Sequence, residues 1–112
     1  MSDCLFCKII AGEIPSSKVY EDDICLAFND IAPQAPGHFL VIPKTHIRSV
    51  SAVTVENSGI VAHIFEVIAK VTAEKGIASY RVVSNIGEQA GQSVPHLHFH
   101  VLSGRDMTWP PG

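Results

Sequence analysis

Three histidines stand at every second position in His96-Leu97-His98-Phe99-His100-Val101-Leu102, and they are half of the six in the chain. Their alternation with apolar residues has the two-residue period of a β-strand, whose successive side chains point to opposite faces. All three imidazoles therefore share one face, with Leu97, Phe99 and Val101 turned to the core. Next-but-one side chains on a strand lie about 6.5 to 7 Å apart, so one small group could touch two rings but hardly all three. Two chemistries use such a face. Neutral imidazole is a metal ligand, and an H-x-H pair on a strand presents two ligands to zinc. Imidazole is also a nucleophile and a general acid or base near neutral pH. A lone histidine would more often be idle, but three in register after Gly91-Gln92-Ser93-Val94-Pro95 argue for a site.

A second cluster of reactive side chains opens the chain. Cys4 and Cys7 have the C-x-x-C spacing of one half of a tetrahedral zinc site, whose other half must come from elsewhere. Cys25 makes the number of cysteines odd, which argues against a disulfide framework and for thiols or metal ligands. Placed within Ile24-Cys25-Leu26-Ala27-Phe28, it reads as buried packing.

The elements that must position these residues follow from local pattern. Residues 3–12 read as a short helix, with Asp3 as its cap, Leu5, Phe6, Ile9 and Ile10 as its apolar stripe and Gly12 as its stop. Residues 18–21 and 24–29, split by Asp22-Asp23, make a hairpin. Two prolines and a glycine mark 30–37 as a loop, and 38–42 return to strand composition. From Thr54 to Lys75 the period becomes helical: Ile60, Ile64, Ile68 and Val71 form one face with Val61 and Phe65 beside it, and Gly76 ends it. His63 falls with Glu66, Lys70 and Glu74 on the opposite face and is expected to be solvated. Strands over 80–85 and 96–102, with a glycine-bearing loop over 86–95, complete an antiparallel α+β domain. Pro95 has no N–H and biases Val94 to extended geometry, which suits a strand starting at His96 on an edge or after a bend.

At 112 residues, 46% apolar and 17% charged, the chain is expected to be one compact domain, residues 1–112. A net charge of -3 argues against nucleic acid and anionic membrane as partners, because both require clustered Lys and Arg. The first residues carry no basic segment followed by an apolar run, and no stretch approaches the roughly 20 apolar residues of a membrane span. A cytoplasmic location is the expectation.

These motifs resemble a known family. His96 to Leu102 fits the His-φ-His-φ-His-φ-φ signature (φ apolar) of the histidine triad (HIT) nucleotide-binding proteins. Cys4-Leu-Phe-Cys-Lys-Ile-Ile-Ala-Gly-Glu-Ile-Pro15, Asn29-Asp-Ile-Ala-Pro-Gln-Ala-Pro-Gly-His-Phe-Leu-Val-Ile-Pro-Lys44 and Trp109-Pro-Pro-Gly112 resemble its Hint branch. The resemblance implies a HIT-like fold, a five-stranded antiparallel sheet with one long and one short N-terminal helix, in a homodimer with a continuous ten-stranded sheet. It implies a purine nucleoside phosphoramidase, in which His98 attacks the α-phosphorus of a nucleoside 5'-phosphoramidate such as adenosine phosphoramidate, and water releases the nucleotidyl-histidine.

The remaining roles follow from the same likeness. His100, His38 and the N–H groups of Gly91, Gln92 and Ser93 would stabilise the phosphate, and the Ser93 hydroxyl would reach the leaving amine. Asp30 would accept from the ribose hydroxyls, with Ile31 and Asn85 as further nucleotide contacts and Phe6, Ile9 and Phe28 as walls for the base. For Asp30 and Ser93 a plain turn role competes, and for the three apolar residues plain core. Some relatives with both C-x-x-C and Pro-Lys-Thr-His bind structural zinc, which here would use Cys4, Cys7, His46 and His96. Three rival functions stay open: a dinucleoside polyphosphate hydrolase sharing the triad, a hydrolase with catalytic zinc on the H-x-H pair, and a nucleotide-binding adaptor with vestigial turnover.

Overall fold

The chain was analysed as a computed structural model that describes residues 3–112. Helix α1 (Leu5–Ile10) is capped by Cys4, whose Sγ accepts the Cys7 N–H at 3.4 Å, and not by Asp3 as its residue type suggested. Gly12, at φ 81°, turns the chain out of the helix. Strands β1 (Lys18–Glu21) and β2 (Cys25–Asn29) form the expected hairpin. Its turn is closed by Asp22 Oδ1, which accepts the N–H groups of Ile24 at 2.8 Å and Cys25 at 2.9 Å.

Strand β3 (Gly37–Pro43), helix α2 (Ser58–Glu74), and strands β4 (Arg81–Val83) and β5 (Phe99–Ser103) complete one antiparallel sheet of order β1-β2-β3-β5-β4. This is the five-stranded α+β architecture expected. Two strands differ from the sequence reading. β4 occupies half of 80–85 at a sheet edge. β5 begins at Phe99 and not at His96, because Leu97 N–H donates to the Ile47 carbonyl at 2.6 Å and the Ser84 hydroxyl to the His98 carbonyl at 2.9 Å. These bonds take residues 96–98 out of the regular ladder, with the chain bending at His96, yet Leu97 still packs in the layer facing α2 while His98 lines the cavity on the other side.

That alternation divides the protein into two layers. Cys25, Ala27, Phe39, Val41, Leu97, Phe99 and Val101 pack on one side against Ile64, Val67, Ile68 and Val71 of α2. Leu26, Phe28, Leu40 and Ile42 point the other way, towards Cys4, Phe6 and Ile9 of the N-terminal segment. α2, at 17 residues, covers its face fully, whereas α1, at six, covers only part of its own and leaves the histidine side of the sheet open to a cleft. The helix face includes Ile64 and Ile68 as expected, but Phe65 lies at its margin, 46% exposed, with its ring edge-on to Phe99.

His63 is not the solvated residue its position suggested. Its Nε2–H donates to Asp22 Oδ2 at 2.6 Å, half-buried, and so ties α2 to the β1–β2 turn. The partner lies 41 residues away in sequence, beyond the reach of a helix-face argument. Hydrogen bonds from His63, the Cys25 and Ile24 amides and the Tyr20 hydroxyl outweigh partial burial and hold the Asp22 carboxyl well below the usual carboxylate range. Cys25 is fully buried, and burial pushes its thiol up to about 12, consistent with a packing role. No helix of the described residues is long and apolar enough to cross a membrane.

Candidate active site and cysteine–histidine cluster

The three rings of the triplet differ in their partners: His98 meets a backbone carbonyl, His100 meets His38, and His96 belongs to a separate cluster. His98 Nδ1 lies 2.7 Å from the His96 carbonyl, which can only accept, so Nδ1 carries the hydrogen and the lone pair is on Nε2. His100 has the opposite arrangement. The Gln34 backbone N–H donates to His38 Nδ1 at 3.0 Å, which places the hydrogen of neutral His38 on Nε2. That Nε2–H faces His100 Nδ1 at 2.9 Å, so neutral His100 keeps its own hydrogen on Nε2. Strand register brings this pair together, because His38 opposes Leu102 and His100 opposes Leu40 on β3 and β5, making the two histidines diagonal neighbours on one face. Asp30, just after β2, places Oδ2 3.4 Å from His38 Nε2.

A cavity of about 240 Å³ opens over these rings. Asp30, Ser93, His98 and His100 supply its polar groups, and Phe6, Ile9, Phe28 and Ile31 its apolar walls. Phe6, Ile9 and Phe28 are thus both core and wall, since the cleft is the uncovered margin of the second layer. Asp30 likewise holds a turn, accepting the Ala32 N–H on Oδ1 at 2.8 Å, while lining the cavity. Leu5, Leu40 and Val94 also line it, and none was singled out from the sequence. Leu40 was within reach, because it shares strand parity with His38.

The other expected contacts stand further back. His38 acts through His100. Gln92 braces its own loop, donating from Nε2 to the carbonyls of Arg48 at 2.9 Å and Val94 at 3.1 Å and accepting the Gly87 N–H at 2.9 Å. Gly91 has φ 96°, and a Cβ there would lie 3.8 Å from the Asn85 amide nitrogen, so Asn85 faces the glycine loop.

Cys4, Cys7, His46 and His96 converge, with all four ligand atoms within 4.8 Å of one another. Cys4 Sγ is 3.3 Å from His96 Nδ1, Cys7 Sγ is 3.3 Å from His46 Nδ1 and 3.6 Å from His96 Nδ1, and the two Nδ1 atoms are 3.1 Å apart. A tetrahedral zinc with bonds of about 2.3 Å to sulfur and about 2.05 Å to nitrogen has S–N edges near 3.6 Å and an N–N edge near 3.3 Å. The four donors fit that ion. His96 Nε2–H donates to the Pro43 carbonyl at 2.9 Å, which leaves the Nδ1 lone pair for a metal.

Asp30, His38 and His100 also lie close enough to suggest a metal group. The hydrogen that the Gln34 amide places on His38 Nε2 is directed at His100 Nδ1, which leaves that nitrogen no lone pair for an ion. His98 belongs to no such group among the described residues, so the arrangement does not favour a catalytic metal on the H-x-H pair. The Phe6 ring stands edge-on to both His96, at 5.9 Å, and His98, at 5.1 Å, and so connects the cluster to the cleft.

Burial, reinforced by His98 and His38, pushes His100 down from 6.5 to about 4, and burial also lowers His38 against the pull of Asp30. Both rings are therefore neutral at pH 7. Because the folded pKa is depressed, this contribution to stability is complete above pH 6.5 and is lost as pH falls towards 4, where the unfolded chain takes up the proton first. Glu21, held at about 2 by hydrogen bonds from Lys18 and Lys44, begins to matter only below its ordinary 4.5. Wild-type protein should therefore lose more stability than His100→Gln between pH 7 and pH 5, by about 1 kcal/mol once solvent screening of the partly exposed ring is allowed for. Equal losses in urea titrations of the two proteins would refute this assignment.

Known proteins share this architecture. Residues 3–109 match the family described as "Scavenger mRNA decapping enzyme C-term binding". An uncharacterised HIT-like protein of Synechococcus elongatus is 49% identical over 98% of this chain and 97% of its own. A HIT family hydrolase from Legionella pneumophila superposes with a TM-score of 0.95 at 48% identity, covering 98% of this chain and all of that one. A histidine triad protein from Clostridium difficile gives a TM-score of 0.91 at 50% identity over 96% of each chain. With the triplet, the five-stranded sheet and these likenesses along nearly the whole length, the chain belongs to the histidine triad family.

Proposed function

We propose that the cleft binds a purine nucleoside monophosphate group and that the protein hydrolyses nucleoside 5'-phosphoramidates through a nucleotidyl-histidine on His98. The observation that carries this reading is the opposed protonation of adjacent rings: His98 turns a lone pair on Nε2, and His100 a hydrogen on Nε2, in one half-apolar cleft. A nucleophile beside a fixed donor is what displacement at a phosphate needs. His98 Nε2 attacks phosphorus as the P–N bond to the amine breaks. The leaving nitrogen takes the electron pair and a proton, for which the Ser93 hydroxyl, lining the same cleft, is the donor in this reading. Water then attacks phosphorus, the electron pair of the P–His98 bond returns to Nε2, the proton that water loses restores the group that protonated the amine, and nucleoside monophosphate leaves. Asp30 retains acceptor capacity for the ribose hydroxyls beyond its turn bond.

Adenosine phosphoramidate and a diadenosine polyphosphate, supplied side by side, separate this reading from the dinucleoside polyphosphate hydrolase of the same superfamily. Faster turnover of the phosphoramidate supports the proposal; exclusive turnover of the polyphosphate overturns it.

We also infer that Cys4, Cys7, His46 and His96 hold structural zinc. Bound there, the ion would supply a cross-link from the N-terminal segment to the segment before β5, with no position left for substrate. The thiol ligands fit a cytoplasmic, reducing location. A homodimer joined through β4 belongs to the same reading: that strand is a sheet edge, and Phe65 and Trp109 stay 46% and 83% exposed. Light scattering should give twice the chain mass; the chain mass alone would reject the ten-stranded sheet.

A further inference from the structure

His38 and His100 form a pair that can be satisfied in either direction. With hydrogen on His38 Nε2, His38 donates and His100 keeps its hydrogen on Nε2. With hydrogen on His38 Nδ1, His100 must donate from Nδ1, and its Nε2 becomes an acceptor that repels a phosphate oxygen. One contact selects the direction most strictly: the Gln34 backbone N–H, which can only donate, onto His38 Nδ1 at 3.0 Å. Asp30 Oδ2, 3.4 Å from His38 Nε2, adds a weaker bias of the same sign.

Gln34 lies in a loop, and a side chain outside the cleft holds the peptide that follows its Cα, next to the one that carries its N–H. Arg105 Nε donates to the Gln34 carbonyl at 3.1 Å, from the segment just after β5. The backbones approach closely at the same place. Gly37 pairs with Ser103, and a Cβ on Gly37 would overlap the Ser103 hydroxyl. Gly104 has φ 93°, and a Cβ there would stand 2.9 Å from Pro36 Cβ. The chain from Ser103 to Arg105 thus clamps the loop that presents the Gln34 amide.

We propose that Arg105 is a positioning residue for the reaction centre, holding the Gln34 carbonyl and so, across the Gln34 Cα, the backbone N–H that fixes His38, and through it His100, with the hydrogen on Nε2. Its catalytic consequence rests on the phosphoramidase reading; the proton placement does not. Arg105 touches no residue of the triplet, and its Nη1 donates instead to the neighbouring Asp106 carbonyl at 3.2 Å.

Long-range 15N–1H spectra of the imidazoles in ligand-free protein test it. Wild-type protein should show His38 and His100 protonated on Nε2 and His98 on Nδ1. In Arg105→Ala, a population of His38 protonated on Nδ1 should appear while His98 is unchanged. With adenosine phosphoramidate, kcat should fall about 3- to 10-fold and KM stay within about twofold, because positioning and not binding is lost. Arg105→Lys, which keeps a donor, should lie between the two proteins. Wild-type His38 protonated on Nδ1, or an alanine variant with wild-type spectra and kcat, overturns the proposal. Should wild-type protein not turn over the phosphoramidate, the functional reading fails while the spectra still decide the placement.

Discussion

His98→Gly should abolish turnover of adenosine phosphoramidate, lowering kcat by about 10⁴-fold or more, while AMP still binds with a Kd within a few-fold of wild type. The asymmetry follows from the site. In the proposed site, binding would draw on Asp30, Ser93 and the apolar walls from α1 and β2, which line the cleft independently of the His98 ring. The reaction needs the one lone pair that the His96 carbonyl turns into the cleft by holding Nδ1–H at 2.7 Å. Neither neighbouring imidazole offers a substitute, since the Nε2 of His100 bears hydrogen and His38 is occupied by Gln34 and His100. Turnover by His98→Gly at the wild-type rate, alongside tight nucleotide binding, would instead favour an adaptor whose hydrolysis is incidental.

Removing zinc should destabilise the protein more than it slows the reaction. A ligand present at about a thousand times its dissociation constant contributes about 4 kcal/mol, and the unfolded chain does not hold the four donors together. Chelation should therefore lower the thermal midpoint markedly, and Cys7→Ser should reproduce the loss without chelator. Burial of His96 disfavours its protonated form, so the freed site has no easy way to relieve itself by ionising. Because α1 carries Phe6 and Ile9, loosening it should raise KM for the nucleotide while the nucleophile is retained. Loss of all activity with an unchanged thermal midpoint would contradict a structural role and support the rival in which metal performs the chemistry. Metal analysis that finds no zinc in protein purified without chelator would remove the proposal altogether.

The order of elements was legible because it rests on local pattern. The period of two around Val101 and the period of about 3.6 around Ile64 each express one buried face, and the structure places those faces against one another. Boundaries were less legible. The alternation at His96, Leu97 and His98 was real, but whether a neighbouring strand bonds to it depends on Ile47 and Ser84, far away in sequence. His63 was misjudged for the same reason, since only the fold brings Asp22 beneath it.

Residue types and the face each takes are already written in the linear pattern: three imidazoles on one side of an alternating segment, two thiols one helical turn apart, and apolar residues where each element meets the core. Resemblance to relatives supplied the expected roles. The location of each proton came from the folded chain. Those positions follow from backbone groups with no side-chain signature, the Gln34 amide and the carbonyls of His96 and Pro43, which come within hydrogen-bond reach of the imidazoles when the sheet and its loops close. An imidazole is nucleophile, donor or ligand according to which nitrogen keeps its lone pair, and that is fixed by a neighbour's geometry and not by the histidine itself.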